Sequence, residues 1–344
     1  THTKYEQKLY ASSNLTITEE STQGHYTISK PDETQTYADV LANINKRFND
    51  FSLVANVGAS IVNNRYEDLS YRGPIREKGI PNVFNVFDLD NTKKKARQDE
   101  WQEQTQSVFA SVEVGWKSML YLTLTGRNDW ASQLANSSTP CFFYPSVGLS
   151  GVISEMLTLP EFIDYMKVRG SFSSVGMPYP RNLTSPTYEY DEANQQWKPK
   201  THYPIKDLKP ERTNSWELGL DMRLFKDFSL GFSWYLANTF NQTFDPKVSV
   251  SSGYSKIYLQ TGYVRNSGVE LSLGYGHTWN NHLHWESNFT LSHNKNTIKD
   301  LVTSYIHPET GLPITQNRLD VGGLGKARFI LKKGGTLGDL YTQS

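Results

Sequence analysis

Apolar and polar residues alternate with a period of two over whole segments, and this feature most constrains the fold of the chain. In residues 217–224 every even-numbered position is apolar and every odd-numbered position is charged or glycine. Residues 229–236 and 269–275 repeat the pattern. Because successive side chains of a β-strand point to opposite faces of its sheet, each segment predicts a strand with one apolar and one polar face.

In all we count about eleven or twelve candidate strands, and six of them show weaker copies of the same alternation. These copies lie at Leu53–Ile61, Val108–Trp116, Leu120–Leu124, Val147–Ile153, Val168–Phe172 and Trp285–Leu291. Aromatic residues make up 13% of the chain, which favours strands over helices. A transmembrane helix needs a run of about 18 or more apolar residues, and the sequence contains none. The sequence therefore predicts an all-β protein.

Short and long connections alternate between the predicted strands. The short turns are Asn49-Asp50, Lys117-Ser118, Lys226-Asp227 and Asn280-Asn281-His282. The long segments cover residues 65–102, 129–142, 175–212, 239–263 and 295–325. One short-side connection, Glu155–Asp164, contains Pro160, which predicts a brief irregular or helical excursion. Transmembrane β-barrels have short periplasmic turns and long extracellular loops, so the pattern favours a transmembrane antiparallel β-barrel.

Aromatic residues lie at both ends of the predicted strands, as belts at a membrane interface require. Beside the short turns are Phe51, Trp116, Phe228, Trp279 and Trp285. At the opposite strand ends are Tyr66, Phe142, Phe143, Tyr144, Trp216 and Tyr263. On the polar face, a water-filled or plugged lumen would keep charged residues hydrated; the residues expected there are Glu113, Arg169, Glu217, Asp221, Arg223 and Glu270. A soluble sheet with one wet face would show the same local pattern.

No catalytic, cofactor or metal constellation stands out, and we predict that the chain is not an enzyme. The densest histidine group surrounds a surface turn without accompanying cysteine: His277, His282, His284 and His293. The chain has 35 basic residues (Lys and Arg) and 35 acidic residues (Asp and Glu), so it has no net positive charge that would attract nucleic acid. The single cysteine, Cys141, excludes an internal disulfide. Loop aromatics either contact a ligand or partner protein or hold their own loops in place; they are Trp130, Tyr179, Tyr188, Tyr190, Trp197, Tyr203 and Tyr254.

Several strings of the sequence resemble the barrel of the SusC/RagA family of TonB-linked outer-membrane proteins. Three of them, in matching order and spacing, are residues 121–130, 143–150 and 166–172. Two more, LKPERTNSWELG at 208–219 and VRNSGVEL at 264–271, are similar to the two best-known barrel signatures of that family. The resemblance extends from about Tyr37 to Tyr341.

This resemblance implies a barrel of about 22 strands closed around a plug, of which residues 1–344 would form one partial barrel domain, about half of the strands. It also implies import of oligosaccharides or other glycans, or of peptides, across the outer membrane of Gram-negative Bacteroidetes. The implied partners are TonB, reached through a segment outside this sequence, and a SusD-like lipoprotein that forms a lid over the long loops. A dimer of transporter–lid pairs is a further implication.

Two other classes of protein remain open at this point. A passive outer-membrane porin would share the strands, the aromatic belts and the loop asymmetry. A soluble β-sandwich that binds glycans would share the alternation, but it gives no reason for the long loops to lie at one end.

Overall fold

The computed structural model describes residues 2–11, 23–181, 183, 188–191, 196–199, 202–203, 209–244, 256–257, 259–280, 283–306, 313–316, 318–324 and 326–342. The strands there are β1 (Tyr5–Tyr10), β2 (Gly24–Phe48), β3 (Phe51–Pro74), β4 (Lys95–Trp116), β5 (Leu120–Ala131), β6 (Cys141–Val152), β7 (Ile163–Met177), β8 (Tyr188–Asp191), β9 (Gln196–Pro199), β10 (His202–Tyr203), β11 (Glu211–Leu224), β12 (Phe228–Phe244), β13 (Lys256–Ile257), β14 (Leu259–Asn280), β15 (Leu283–Asp300), β16 (Val302–Ile306), β17 (Pro313–Gln316), β18 (Arg318–Leu324), β19 (Ala327–Lys332) and β20 (Leu340–Thr342).

The main sheet contains 11 strands in the order β1-β2-β3-β4-β5-β6-β7-β11-β12-β14-β15. Every pairing in it is antiparallel, which confirms the prediction of an all-β antiparallel architecture. The remaining strands form small sheets, β8-β9, β10-β13, β16-β17 and β18-β19-β20. Sequential strands are neighbours throughout the main sheet, so short turns suffice on one side.

Helical structure in the described residues is limited to single turns. The helix α1 (Ile153–Met156) lies between β6 and β7, where Pro160 predicted an excursion. Two 3-10 turns cover Val86–Asp88 and Ser132–Leu134. None of the described helices has the length and apolar character needed to cross a bilayer.

Three of the four predicted short turns join the strands that they were expected to join, and the fourth, Asn280-Asn281-His282, lies partly outside the described residues. Asn49 connects β2 to β3 with a φ of 49°, and Lys117 and Ser118 connect β4 to β5 with φ of 52° and 58°. Residues in this left-handed region allow two strands to reverse direction within two or three positions. Phe225 and Lys226, between β11 and β12, have φ of 52° and 64°.

The predicted long loops are shorter than expected because the strands continue into them. β3 runs to Pro74 and β4 begins at Lys95, whereas a loop was expected over residues 65–102. Similarly, β12 continues to Phe244 and β15 to Asp300. The apolar alternation ends where the strand becomes polar on both faces, so hydrophobicity alone could not detect these extensions.

The chain divides into two compact units. The first comprises Thr1–Asp39, Ser60–Gln106 and Tyr190–Trp197, and the second comprises Val40–Ala59, Ser107–Glu189 and Lys198–Ser344. In the first unit, Ile75 and Leu89 are fully buried, and the Ile75 N–H donates a hydrogen bond to the Gly24 carbonyl at 2.8 Å. This small core fixes the connection between β3 and β4.

The core of the second unit lies beside the strand ends. Val264 and Ile298, which pair across β14 and β15, are covered by Leu319 of β18 and Leu331 of β19 together with Leu301. The middle stretches of the main-sheet strands contribute no large buried apolar side chain in the described residues. Those stretches are therefore stabilised by strand pairing and by the surroundings that contact the two faces of the sheet.

Candidate functional site

The register of the main sheet separates apolar from polar side chains. Leu218 of β11 pairs with Trp234 of β12, and Trp234 pairs with Val269 of β14. The next row, one residue along each strand, is polar and includes Ser233 paired with Glu270. We call these two surfaces the apolar face and the polar face.

Large side chains of the apolar face are exposed along its strands. They include Val147, Leu149, Trp216, Leu218, Phe232, Leu273, Phe289 and Leu291. A soluble monomer rarely exposes a contiguous apolar patch of more than a few hundred Å². Alternation that leaves such a face exposed is typical of a strand that meets lipid on one side.

The predicted aromatic belts are only partly reproduced. All five aromatic residues beside the short turns are exposed: Phe51, Trp116, Phe228, Trp279 and Trp285. At the opposite end, Phe143 and Trp216 are exposed, but Phe142 and Tyr144 pair with Asp129 and Arg127 and so share the polar face. Tyr66 stacks on Trp101 at 5.3 Å between ring centroids. The second belt is therefore mixed, because an aromatic at a strand end can serve either face.

Arg169 of β7 links three strands across the polar face. Its Nη1 donates a hydrogen bond to Asp221 Oδ2 at 2.7 Å, and its Nη2 donates one to Ser233 Oγ at 2.9 Å. Nε and Nη2 also lie 3.4 Å from Glu217 Oε1. Gly219 pairs directly with Arg169, and a Cβ at Gly219 would lie 2.6 Å from Arg169 Nε. The glycine therefore provides the space that the guanidinium occupies.

The structure thus brings together three of the six charged residues predicted for the polar face, Arg169, Glu217 and Asp221. Glu113 of β4 accepts a hydrogen bond from Thr123 Oγ1 of β5 at 3.2 Å. The other two share the polar face without joining the network. Within the described residues, the side chains of Arg223 and Glu270 form no hydrogen bond or ion pair.

A second polar cluster on the same face was not singled out from the sequence. Arg127 Nε donates a hydrogen bond to Asp129 Oδ1 at 2.7 Å, and its Nη2 donates one to Ser107 Oγ at 2.8 Å. Tyr144 also hydrogen-bonds to Asp129, and the Phe109 ring centroid lies 5.9 Å from the Arg127 guanidinium. The available signal was the polar series from Thr123 to Asp129, in which every second residue is hydrophilic.

The predicted loop aromatics lie in different environments. Trp130 lies within β5 at an even spacing from Leu122 and Leu124, so its side chain points to the same apolar face as theirs. Tyr179 is only 4% exposed, whereas Trp197 of β9 is 67% exposed. Tyr188 and Tyr190 lie in β8 and Tyr203 lies in β10, but their side chains, like all of Tyr254, fall outside the described residues.

The histidines near the turns of the second unit have separate partners. His277 Nδ1 lies 2.7 Å from Asp227 Oδ2, and His284 Nδ1 lies 2.9 Å from Thr278 Oγ1. Within the described residues, no group of three or more potential metal-ligating side chains forms. His277 and His284 therefore connect strand ends near the short turns, and His282 lies outside the described residues.

In the first unit, hydrogen bonds favour the charged form of Glu6 of β1. Tyr26 donates a hydrogen bond from its hydroxyl to Glu6 Oε1 at 2.9 Å, and Lys4 Nζ donates one to Oε2 at 3.1 Å. These donors, Tyr26 first, lower the pKa of Glu6 to about 2. The contact ties β1 to the start of β2, far along the strand from the short turn at Asn49.

Two curated proteins of Formosa agariphila, both named TonB-dependent receptor, resemble the chain. One is 23% identical over 315 residues, which cover 87% of this chain and 28% of that protein. The other is 26% identical over 226 residues, which cover 63% of this chain and 23% of that protein. The chain therefore spans about a quarter of the length of these relatives.

A solved structure described as the RagAB peptide transporter matches the fold. The TM-score is 0.76 at 17% identity, and the match covers 97% of this chain and 36% of that chain. At this identity the match shows the fold alone.

The sequence also matches the model of the family described as "TonB dependent receptor-like, beta-barrel" over residues 2–338. Proteins of this family are transporters and not enzymes, in agreement with the sequence prediction. The sheet with one exposed apolar face and one polar face is what a strand region of such a barrel requires. The chain belongs to the TonB-dependent receptor family, and its main sheet is part of the β-barrel of that family.

Proposed function

We propose that this chain forms part of the wall of an outer-membrane importer that takes up oligosaccharides or peptides in Bacteroidetes, energised through TonB and closed by a SusD-like lipoprotein. The observation that carries the proposal is the sheet itself, which combines an exposed apolar face with a hydrogen-bonded polar face in a chain of the TonB-dependent receptor family. In this arrangement the apolar face meets lipid and the polar face lines the lumen.

The charges of the polar face support a polar cargo without a large net charge. The charged side chains assigned to this face are five acidic and four basic: Glu113, Asp129, Glu217, Asp221, Glu270, Lys167, Arg127, Arg169 and Arg223. Because the two signs nearly balance, the wall would neither strongly repel nor strongly trap a solute through its charge. Oligosaccharides and peptides both bring hydroxyl or amide groups that exchange hydrogen bonds with such a surface.

The similarity to the RagAB peptide transporter favours a peptide among these cargoes, and the relationship to the Formosa agariphila receptors leaves the cargo open. Exposed loop aromatics such as Trp197 provide a surface on which a lid protein or a sugar ring could pack. Transport of this kind makes and breaks no covalent bond. The cargo must therefore bind more tightly to the closed-lid state than to the open state, because only differential affinity shifts the population.

The first test isolates the full-length transporter from detergent-solubilised outer membranes of its own host through an affinity tag. Mass spectrometry then identifies the proteins that co-purify and the glycan or peptide released on denaturation. We expect a lipoprotein at about one copy per transporter, together with one class of bound cargo. A full-length barrel recovered without such a partner would contradict the lid, and recovery in the soluble fraction would contradict the membrane location.

The second test measures uptake of the identified cargo, labelled with a fluorophore, in cells with and without TonB. A TonB-dependent importer loses uptake when TonB is absent, whereas a passive porin transports equally well in both strains. Retained uptake without TonB would therefore contradict a TonB-dependent importer and identify the protein as a passive porin. A strain lacking the transporter measures the background.

A further inference from the structure

A pocket of about 300 Å³ opens on the polar face of the second unit, across β4, β5, β6 and β7. Its floor is a row of hydroxyl groups, because Thr125 pairs with Ser146 and Ser146 pairs with Ser173. Ser173 in turn pairs with Ser215 of β11, so the row leads out of the pocket along the polar face. We call these four residues the hydroxyl row. Within the described residues, their hydroxyls form no hydrogen bond and are available to a ligand.

Two aromatic rings stand beside the hydroxyl row, one on each side of Arg127. Arg127 pairs with Tyr144 of β6, and the ring centroid of Phe109 in β4 lies 5.9 Å from its guanidinium. Phe109 lies over Gly58 of β3, where a Cβ would be 2.6 Å from the ring Cζ. Tyr144 meets the ring of Phe142 edge to face, with 4.8 Å between centroids. Both rings are therefore supported by neighbours and offer fixed apolar surfaces next to polar groups.

The charges at the pocket cancel. Arg127 Nε donates a hydrogen bond to Asp129 Oδ1 at 2.7 Å, and Asp129 is only 7% exposed. Arg127 Nη2 donates another to Ser107 Oγ at 2.8 Å. These contacts use only part of the N–H donors of the guanidinium, and the others meet no acceptor within the described residues. The pocket therefore offers free N–H and hydroxyl groups without a net charge.

We propose that this pocket binds one residue of a neutral oligosaccharide, so that the cargo of the importer is a neutral glycan. The inference rests on the import function proposed above. The C–H groups of the sugar ring would pack on Phe109 and Tyr144, while its hydroxyl oxygens accept hydrogen bonds from Arg127 and exchange them with the hydroxyl row. A mostly apolar pocket with a few convergent polar groups is typical of sites for small molecules.

A peptide fits this pocket less well than a sugar. A peptide terminus or an ionised side chain needs an opposite charge, and Arg127 is already paired with Asp129. Neighbouring strands lie about 4.8 Å apart, which is close to the length of one sugar residue, whereas an extended peptide advances about 3.3 Å per residue. A glycan that crosses the strands can therefore meet one hydroxyl of the row per sugar. The similarity to a peptide transporter, by contrast, is a similarity of fold at 17% identity.

The test uses the full-length transporter, purified in detergent and immobilised through an affinity tag. It is incubated with a mixture of three pools of equal mass. These are neutral oligosaccharides from hydrolysed yeast, plant and algal polysaccharides, acidic oligosaccharides from hydrolysed polygalacturonate, and peptides from a tryptic digest of casein. Mass spectrometry identifies what is retained after washing. We expect enrichment of neutral oligosaccharides over both other pools.

A variant that fills the pocket assigns the binding to this site. Ser146→Phe places a ring on the floor of the pocket and should lower the retained neutral oligosaccharide roughly tenfold or more, because the sugar loses its contacts with the hydroxyl row. The matched control is Ser272→Phe, on the same polar face of β14 but outside the pocket, and it should change retention by less than about twofold. A heat-dependent gel shift confirms that each variant is folded.

Preferential retention of peptides or acidic oligosaccharides would overturn the proposal, and so would retention of none of the three pools. These outcomes are read from the unmodified protein, so they hold even if Ser146→Phe fails to fold. Equal retention by Ser146→Phe and Ser272→Phe would also overturn it. The measurement needs neither TonB nor the lid. TonB-dependent uptake of a peptide would therefore leave the importer intact while the glycan pocket fails, and a retained glycan with TonB-independent uptake would do the reverse.

Discussion

At the residue scale, the polar face depends on single side chains that satisfy several neighbours. Arg169 donates to Asp221, Ser233 and Glu217 from one guanidinium, and it does so because Gly219 has no side chain. The guanidinium is partly exposed, so water screens each ion pair and none is strong alone. Its main effect is to hold β7, β11 and β12 in register.

We expect Arg169→Met to lower the free energy of unfolding of the full-length protein by about 1–2 kcal/mol. The loss arises because Asp221 and Glu217, which point to the same face of β11, would lose the cation that contacts both of them. Equilibrium urea unfolding in lipid vesicles measures the change. The matched control is Arg223→Met, which removes an arginine from the same face of β11 but no described contact, and it should change stability by less than about 0.5 kcal/mol.

Gly219→Ala tests the same interaction from the opposite side. The added Cβ would lie 2.6 Å from Arg169 Nε and 2.8 Å from Arg169 Cγ, so the substitution should destabilise the protein when Arg169 is present and cost little in an Arg169→Ala background, which removes both atoms. Such non-additivity is the signature of two positions that share one interaction. If the two effects simply add, Gly219 has another role and the proposed packing of the guanidinium is wrong.

At the element scale, the sequence predicted the strands well and their ends poorly. The segments of strict alternation, such as 217–224 and 269–275, lie within β11 and β14 of the main sheet. The extension of β3 to Pro74 was missed because Asn63, Arg65 and Glu67 alternate with other polar residues. Hydrophobic periodicity reports where lipid touches a strand, whereas backbone pairing continues beyond that boundary.

The candidate site was predicted to a similar extent. Glu217, Asp221 and Arg169 were assigned to the polar face from their odd-numbered positions alone, since successive residues of a strand point to alternate faces. Which of them make contact depends on register between strands, and register is not encoded in any one strand. The Arg127 cluster was missed for the same reason, because Ser107 and Arg127 become neighbours only after β4 and β5 pair.

A pair of adjacent substitutions in β14 tests which face meets lipid. Leu273→Arg places a charge on the apolar face near the middle of the bilayer and should destabilise the full-length protein by about 2–4 kcal/mol. Ser272→Arg places the same charge on the polar face one residue away and should cost less than about 1 kcal/mol. Urea unfolding in lipid vesicles measures both. Equal costs would contradict the assignment of lipid and lumen to the two faces.

At the scale of the whole molecule, the main sheet has edges that a membrane does not tolerate. Within the described residues, β1 pairs only with Gly24–Ser29 of β2, so the stretch Val40–Phe48 has β3 as its single neighbour. On the other side, β15 ends the sheet. An unsatisfied backbone group in hydrocarbon costs several kcal/mol, so each edge would cost far more than the stability of an ordinary domain.

We therefore expect that residues 1–344 alone do not insert as a folded unit, whereas the full-length protein does. Both are refolded into the same vesicles, and insertion is measured by protection from trypsin and by a heat-dependent shift on a gel. The full-length protein should show both properties, because a closed barrel leaves neither β2 nor β15 with an open edge. If residues 1–344 gave a protected, heat-sensitive species, its mass would decide the cause: a dimer would mean that the edges pair between copies, and a monomer would contradict the argument that open edges exclude the isolated sheet from lipid.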